Sequence, residues 1–349
     1  MSNPLYNIAG LFNISSPAIS IVRYGEGHIH DTYLVTTGSS QPDYILQKIN
    51  HKIFRDIPGM MRNIKEVTDY LRFKNTGKSS TFSTPELVYT YEGQPFLELD
   101  EENFWRMYVY IPDTVTYQKM EDPALGFEAG KAIGRFQAGL AGLPVPLVET
   151  IPGFHDIFLR IEQYYSAREN DPLSRKGKIM DTIDFAEKRF DTAKNYLLQL
   201  REKGVIRATH NDTKLNNILF SRQNEALCLI DLDTVMPGYV HFDFGDALRT
   251  MANTALEDEP DLKRVRFNEK VYQSVTKGFL AEAGPMLNEA EKELLPYAPV
   301  YMTFIIGLRF LADYLNGDTY FRIHHPDHNL DRARVQFKLV QEIEQFLKA

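Results

Sequence analysis

The chain has 349 residues, 43% hydrophobic and 25% charged, ordinary proportions for a folded globular protein and a length that suits one large or two closely packed domains. A formal net charge of -8 and a pI near 5.7 leave no excess of Lys and Arg to neutralise a nucleic-acid backbone, so an anionic substrate would need a metal or a few placed cations. The single cysteine, Cys228, lies inside the apolar run at 226–230, which excludes a disulfide framework and a thiolate metal site.

The opening MSNPLYNIAGLFNIS lacks the basic, apolar and small-residue blocks of a secretion signal. The most apolar stretch, around 300–308, stops at Arg309 and reads as too short for a bilayer. A cytoplasmic protein without membrane or nucleic-acid partners is expected, and the sequence sets no oligomeric state.

Along the chain, residues 19–24 alternate like a strand, reach Gly25-Glu26-Gly27-His28 and resume at 32–35, predicting a hairpin with a glycine-bearing tip. Residues 44–49 read as a third strand. Met60, Met61, Ile64, Val67 and Leu71 then recur at helical spacing. Further short strands are expected at 85–99, and 104–111 is the last strand of the first part, leaving at Pro112. From Asp122-Pro123 the pattern turns helical, with Asp122 as cap and Pro123 at the first helical position. Helices follow at 155–168 and 183–203, the latter closed by Lys203-Gly204, then short strands at 205–209, 217–220 and 226–230 and long helices after them. The order predicts an α+β fold of two lobes: a β-rich lobe over 1–108, a hinge at 109–113 and a mainly helical lobe over 114–349.

The densest polar cluster is HNDTKLNN at 210–217. His210, Asp212 and Asn217 fit H-x-D-x-x-x-x-N, and Asp231 ends the apolar run fourteen residues after Asn217. Such spacing lets a loop hold Asp212 beside an acceptor hydroxyl while a hairpin returns Asp231 to face Asn217. Hard oxygen ligands suit Mg²⁺, which bridges nucleotide phosphates. The plain alternative is a polar turn satisfied by its own hydrogen bonds; the strand, helix and crossing-strand order upstream favours the kinase pattern.

These blocks, with Tyr24-Gly25-Glu26-Gly27-His28, Asp231-Leu232-Asp233-Thr234, Met236-Pro237-Gly238, Phe242-Asp243-Phe244-Gly245-Asp246 and residues 309–315, make the chain resemble the aminoglycoside phosphotransferase and choline kinase-like enzymes over about residues 20–345. The longer strings are most similar to the bacterial N-acetylhexosamine 1-kinases. The resemblance implies a protein kinase-like fold, ATP and Mg²⁺ as cofactors, Asp212 as catalytic base and Asn217 with Asp231 as metal ligands. It also implies a small sugar as partner, N-acetylglucosamine or N-acetylgalactosamine phosphorylated on its anomeric hydroxyl. Asp243-Phe244-Gly245 spells the D-F-G of protein kinases but lies too far beyond Asn217, so Asp231 takes the metal and Asp243 is expected to accept main-chain N–H groups of the catalytic loop.

Where kinases place a phosphate-contacting lysine this chain has Gln47, with Lys48 facing the opposite side of the strand. That departure motivates the reading of a nucleotide-binding protein without turnover. A kinase for another small alcohol, an amino alcohol or aminoglycoside, is the alternative enzyme. Gly25 and Gly27 are expected to let the backbone approach phosphates, and Tyr110 and Ile111 to offer main-chain groups to adenine. His28, Arg309 and Tyr320 are expected at the sugar, with pairing of Arg309 to Asp313 one turn on as the structural alternative.

Overall fold

Alternation in the first third is realised as one antiparallel sheet in the computed structural model, which describes residues 4–25, 29–38, 40–76 and 82–348. After a short helix α1 (Pro4–Ala9), strands β1 (Ser20–Arg23), β2 (Asp31–Thr36) and β3 (Tyr44–Ile49) pair in turn. Helix α2 (Ile57–Asn75) follows, then β4 (Leu87–Val88), β5 (Leu97–Asp100) and β6 (Asn103–Val109), giving the order β1-β2-β3-β6-β4 with β5 on the far part of β6.

The period of two sorts the sheet's faces. Tyr44, Leu46, Trp105 and Met107 pack with Phe12 and Ala9 in one apolar cluster, while Ile45, Gln47, Arg106 and Tyr108 face a cleft. Helix α2 starts at Asp56, whose carboxylate accepts the Gly59 N–H at 2.9 Å, and buries Met60, Met61, Ile64, Val67 and Leu71 in the main core. The expected strand at 104–111 stops at Val109 because the Tyr110 N–H bonds to the Asp43 carbonyl at 2.8 Å beyond the ladder.

The rest is mainly helical: α3 (Pro123–Leu140), α4 (Ile157–Asn170), α5 (Met180–Glu187), α6 (Phe190–Lys203), then β7 (Ile206–Thr209), β8 (Ile218–Phe220), β9 (Ala226–Leu229) and β10 (Met236–Tyr239). Helices α7 (Val240–Met251), α8 (Glu269–Ala283), α9 (Glu289–Leu294), α10 (Ala298–Leu315) and α11 (His328–Phe346) complete the chain. Asp122 caps α3 through the Ala124 N–H at 2.8 Å, with Pro123 in the first turn as expected. The helix expected at 183–203 is broken at Arg189, which stacks on the Phe185 ring at 3.7 Å and pairs with Glu344, letting Phe190 turn into the core against Tyr164. Strands β8 and β9 form the expected hairpin, whereas β7 pairs with β10, a strand the sequence reading missed at Met236-Pro237-Gly238.

One helical run, Glu289–Leu315, is long and apolar enough to cross a membrane, more than the residues around 300–308 alone suggest, but 72% of its most apolar window is buried inside the protein. That burial is what a helix apolar on all sides needs at the centre of a large core. Helices α3 and α8 approach through glycines: a Cβ on Gly130 would lie 2.1 Å from the Val275 carbonyl oxygen, and one on Gly278 2.0 Å from that of Phe127. Gly130→Ala is therefore expected to lower stability by about 1–3 kcal/mol, the usual scale of overpacking. Urea unfolding checks it, and an unchanged midpoint would mean the two helices can separate at little cost.

Candidate active site

The cleft between the sheet and the helical part encloses about 800 Å³ and is lined by Tyr24, Gly25, Gln47, Lys214, Asn217 and Asp231, among others. Gln47, Tyr110, Ile111, Asn217 and Asp231 of the expected residues thus meet in one place with Gly25, which holds φ at +74° in the hairpin. Gly27 and His28 lie outside the described residues.

The catalytic-loop segment is built as the spacing implies. Asn217 Nδ2 donates to the Asp212 carbonyl at 2.9 Å and to its carboxylate at 3.1 Å, and the Ile230 N–H bonds to the Asn217 carbonyl at 2.9 Å, which brings Asp231 beside both. Asn211 sits in the left-handed region at φ +65°, held by its amide on the carbonyls of Thr209 and Thr234. His210 donates from Nε2 to the Ile230 carbonyl at 2.9 Å while its Nδ1 accepts the Asp212 N–H.

Asp243 occupies the buttress position. Its carboxylate accepts the N–H groups of His210 at 2.9 Å and Asn211 at 2.7 Å, plus the Gln137 amide, and its carbonyl accepts the Thr213 hydroxyl. Gly238 of β10 completes the support, because a Cβ there would lie 2.4 Å from Thr209 Oγ1.

Lys214, which the sequence reading passed over, contacts Asp212 Oδ2 at 2.9 Å and lines the cleft. Burial raises the Asp212 pKa, but the Lys214 charge and hydrogen bond outweigh it and hold the carboxyl below its ordinary value. Asp231 behaves oppositely: burial, then the carboxylates of Asp233 and Asp212, push it up. The Asp231 side chain makes no hydrogen bond among the described residues, and its backbone is left-handed at φ +65°.

The Gln47 amide is held at both its nitrogen and its oxygen while it lines the cleft, with one N–H of its Nε2 left over. Its Nε2 donates to Thr32 Oγ1 at 3.1 Å and its Oε1 accepts from Arg106 Nε at 2.9 Å, with Thr32, Gln47 and Arg106 in register across β2, β3 and β6. Arg106, only 1% exposed, makes a bidentate pair with Asp233, which also accepts from His30. Burial would raise the Asp233 carboxyl, and Arg106 and His30 reverse that and hold it well below the carboxylate range. At the hinge the Tyr110 N–H is already used by the Asp43 carbonyl, so the main-chain groups left to offer are others. The Tyr110 carbonyl and the Ile111 N–H make no hydrogen bond among the described residues, whereas the Ile111 carbonyl accepts from Thr114.

Arg309 and Tyr320 come together at the other end. The Arg309 guanidinium lies over the rings of Phe154, Tyr320 and Phe321 at 5.1, 5.8 and 5.5 Å. Asp313 does not pair with it: its carboxylate accepts the N–H groups of Thr319, Tyr320 and Phe321 and the Asn329 amide, fixing the loop that carries two of those rings. His155, on the Asn211 carbonyl at 3.3 Å, is pushed down to about 3 by burial, with Arg309 and Arg160 adding to it, so its ring is neutral.

The sequence pattern of the phosphotransferase enzyme family, APH, matches residues 20–276. The chain belongs to that family. Its fold is shared by a microcompartment-associated aminopropanol kinase, TM-score 0.62 at 15% identity over 99% of this chain and 97% of that one. A spectinomycin phosphotransferase solved with ADP and spectinomycin gives 0.60 at 13% identity over 98% of each chain, and a Plasmodium vivax ethanolamine kinase 0.55 at 15% over 96% and 84%. These likenesses show a kinase-like fold, the two-part α+β architecture expected from the phosphotransferase's sequence.

The two buried aspartates separate in stability. Asp243→Ala should destabilise the phosphotransferase by several kcal/mol, since each donor left unpaired costs about 1–3 kcal/mol. Asp231→Asn removes an uncompensated carboxylate and should leave the metal-free protein as stable as before or more so at neutral pH. Thermal unfolding in EDTA checks both, and the reverse order would exchange the roles of the two residues.

Proposed function

We propose that the protein transfers the γ-phosphoryl group of ATP to a hydroxyl of a small neutral acceptor, and that the acceptor is the anomeric hydroxyl of N-acetylglucosamine or N-acetylgalactosamine. The observation that carries the transfer is the joined set Asp212, Lys214, Asn217 and Asp231 at the floor of a cleft large enough for a nucleotide.

The residues fit both absent groups. An uncommitted Asp231 carboxylate crowded by two others, beside an Asn217 whose amide oxygen accepts no hydrogen bond among the described residues, is a hard-oxygen donor set for Mg²⁺. The Tyr110 carbonyl and the Ile111 N–H, which make no hydrogen bond among the described residues, are the opposite ends of one trans peptide, so one of them at a time can face an adenine. When bound, Mg²⁺ supplies charge neutralisation on the phosphates.

The chain's own residues supply orientation. Asp212, fixed by Asn217 and kept ionised by Lys214, accepts the acceptor's proton as its oxygen bonds to the γ-phosphorus and the bond to the β–γ bridging oxygen breaks. A carboxylate held below its usual range is a weak base, and the anomeric hydroxyl is the most acidic on a sugar. Lys214 carries a positive charge at the same floor.

The acceptor end favours a neutral ligand. A cationic amine would need an open aromatic cage or an unpaired acid. Here the ring cage of Phe154, Tyr320 and Phe321 already holds Arg309, and a second guanidinium, Arg160, is held below its ordinary value by burial and then by the Arg309 charge. Nearby Asp246 is paired through Oδ1 with Arg249 at 2.9 Å, and Arg249 in turn with Glu257; the buried Asp246 Oδ2, without a hydrogen bond among the described residues, is the acid that an amine would use. The aminopropanol and ethanolamine kinases that share the fold keep an amino-alcohol acceptor as the second reading.

Two measurements follow. ATP turnover offered N-acetylhexosamines, aminoglycosides and amino alcohols should respond to the sugars, and a response to the amines alone would select the second reading. Asp212→Asn should lower kcat by roughly 10²- to 10⁴-fold with nucleotide affinity nearly intact. Near-native turnover would remove Asp212 from the chemistry.

A further inference from the structure

We propose that Arg106 and Asp233, locked by Gln47 and His30, form the positioning pair that sets Asp231 for the Mg²⁺–nucleotide complex, in the place of the strand-lysine ion pair that protein kinases assemble. The inference rests on the phosphotransfer reading above.

The geometry starts at the row Thr32–Gln47–Arg106. Cross-strand register places the three side chains side by side on the cleft face, and their hydrogen bonds hold the Gln47 amide at its nitrogen and at its oxygen. Gln47 is thus a spacer that aims a guanidinium, not a weakened lysine. The guanidinium reaches across the cleft to Asp233 with two nitrogens on two oxygens, a fork that fixes direction as well as distance.

Asp233 stands two residues beyond Asp231, in the single helical turn Leu232–Thr234 entered through the left-handed Asp231. Holding Asp233 therefore fixes the turn from which the Asp231 carboxylate projects. That carboxylate has no hydrogen bond of its own among the described residues and is repelled by two like charges, so its backbone tether is what keeps it in place.

His30 adds the third segment. It lies just before β2, on the returning arm of the glycine hairpin; its Nδ1 accepts the Asn50 N–H at 3.1 Å, its ring stacks on Phe54 at 5.5 Å and its Nε2 donates to Asp233. One carboxylate thus joins the phosphate hairpin, β6 and the turn bearing Asp231.

Calorimetric titration of ADP, with Mg²⁺ and with EDTA, tests the pair in Asp233→Asn and in the double variant Arg106→Gln/Asp233→Asn, alongside thermal unfolding. Asp233→Asn should weaken Mg²⁺-dependent ADP binding by about 10- to 100-fold, the scale for groups that orient a metal ligand, and leave metal-free binding nearly unchanged. The double variant buries no lone charge, so its melting temperature should return toward wild type while the Mg²⁺-dependent loss persists. Recovery of Mg²⁺·ADP affinity together with stability, or equal weakening with and without metal, would overturn the inference and leave the pair merely structural. Wild-type protein whose ADP binding ignores Mg²⁺ would overturn the phosphotransfer reading, and this inference with it; failure confined to the variants overturns the inference alone.

Discussion

A guanidinium almost wholly removed from water must find its counter-charge inside the protein, and for Arg106 that counter-charge belongs to the other half of the fold. Desolvating both ions is expensive, so such a pair adds little net stability, yet removing one partner costs about 3–5 kcal/mol because the other is left stranded. What the pair supplies is registry. The sheet docks on the helical part where β6 meets the turn after β9, beside the contacts that α2 makes through Asn63 to the carbonyls of Val148 and Val235.

From that fixed point the site divides into a floor and an acceptor end with opposite chemistry. The floor gathers carboxylates: Asp212 is paired with Lys214 and Asp233 with Arg106, whereas Asp231 has no ion pair of its own among the described residues and feels Lys214 and His30 only at longer range. The acceptor end gathers cations, Arg309 and Arg160, around a neutral His155. The α7 segment joins the two, since Asp243 suspends the main chain of His210 and Asn211 while Asp246 pairs with Arg249. A cleft arranged this way concentrates the need for positive charge where phosphates would lie.

Local spacing made much of this legible in the sequence. The H-x-D-x-x-x-x-N string encodes a loop closed on itself, so Asp212, Asn217 and Asp231 could be brought together before any fold was known, and the cap at Asp122 needs only its own helix. Strand alternation likewise separates Gln47 from Lys48. Longer-range contacts stayed hidden: the pairing of β7 with β10 and above all the meeting of Arg106 with Asp233, 127 residues apart; the loop that closes on Asp313 is nearer in sequence but has no spacing signature. A misleading comparison hid the last one, because Gln47 read as a lysine that had lost its charge draws attention from the arginine beside it. His28 and Gly27 fall outside the described residues, and Arg309 lies over the Tyr320 ring rather than pairing with Asp313, the structural alternative.

The position of the transferred phosphate is read directly from the product. N-acetylglucosamine and its 1-O-methyl glycoside are each incubated with MgATP and the phosphorus–proton coupling of any product is recorded. The account predicts phosphorus coupled to H1 with the free sugar and no product from the glycoside. A phosphorylated glycoside, or phosphorus coupled to the C6 protons, would contradict it.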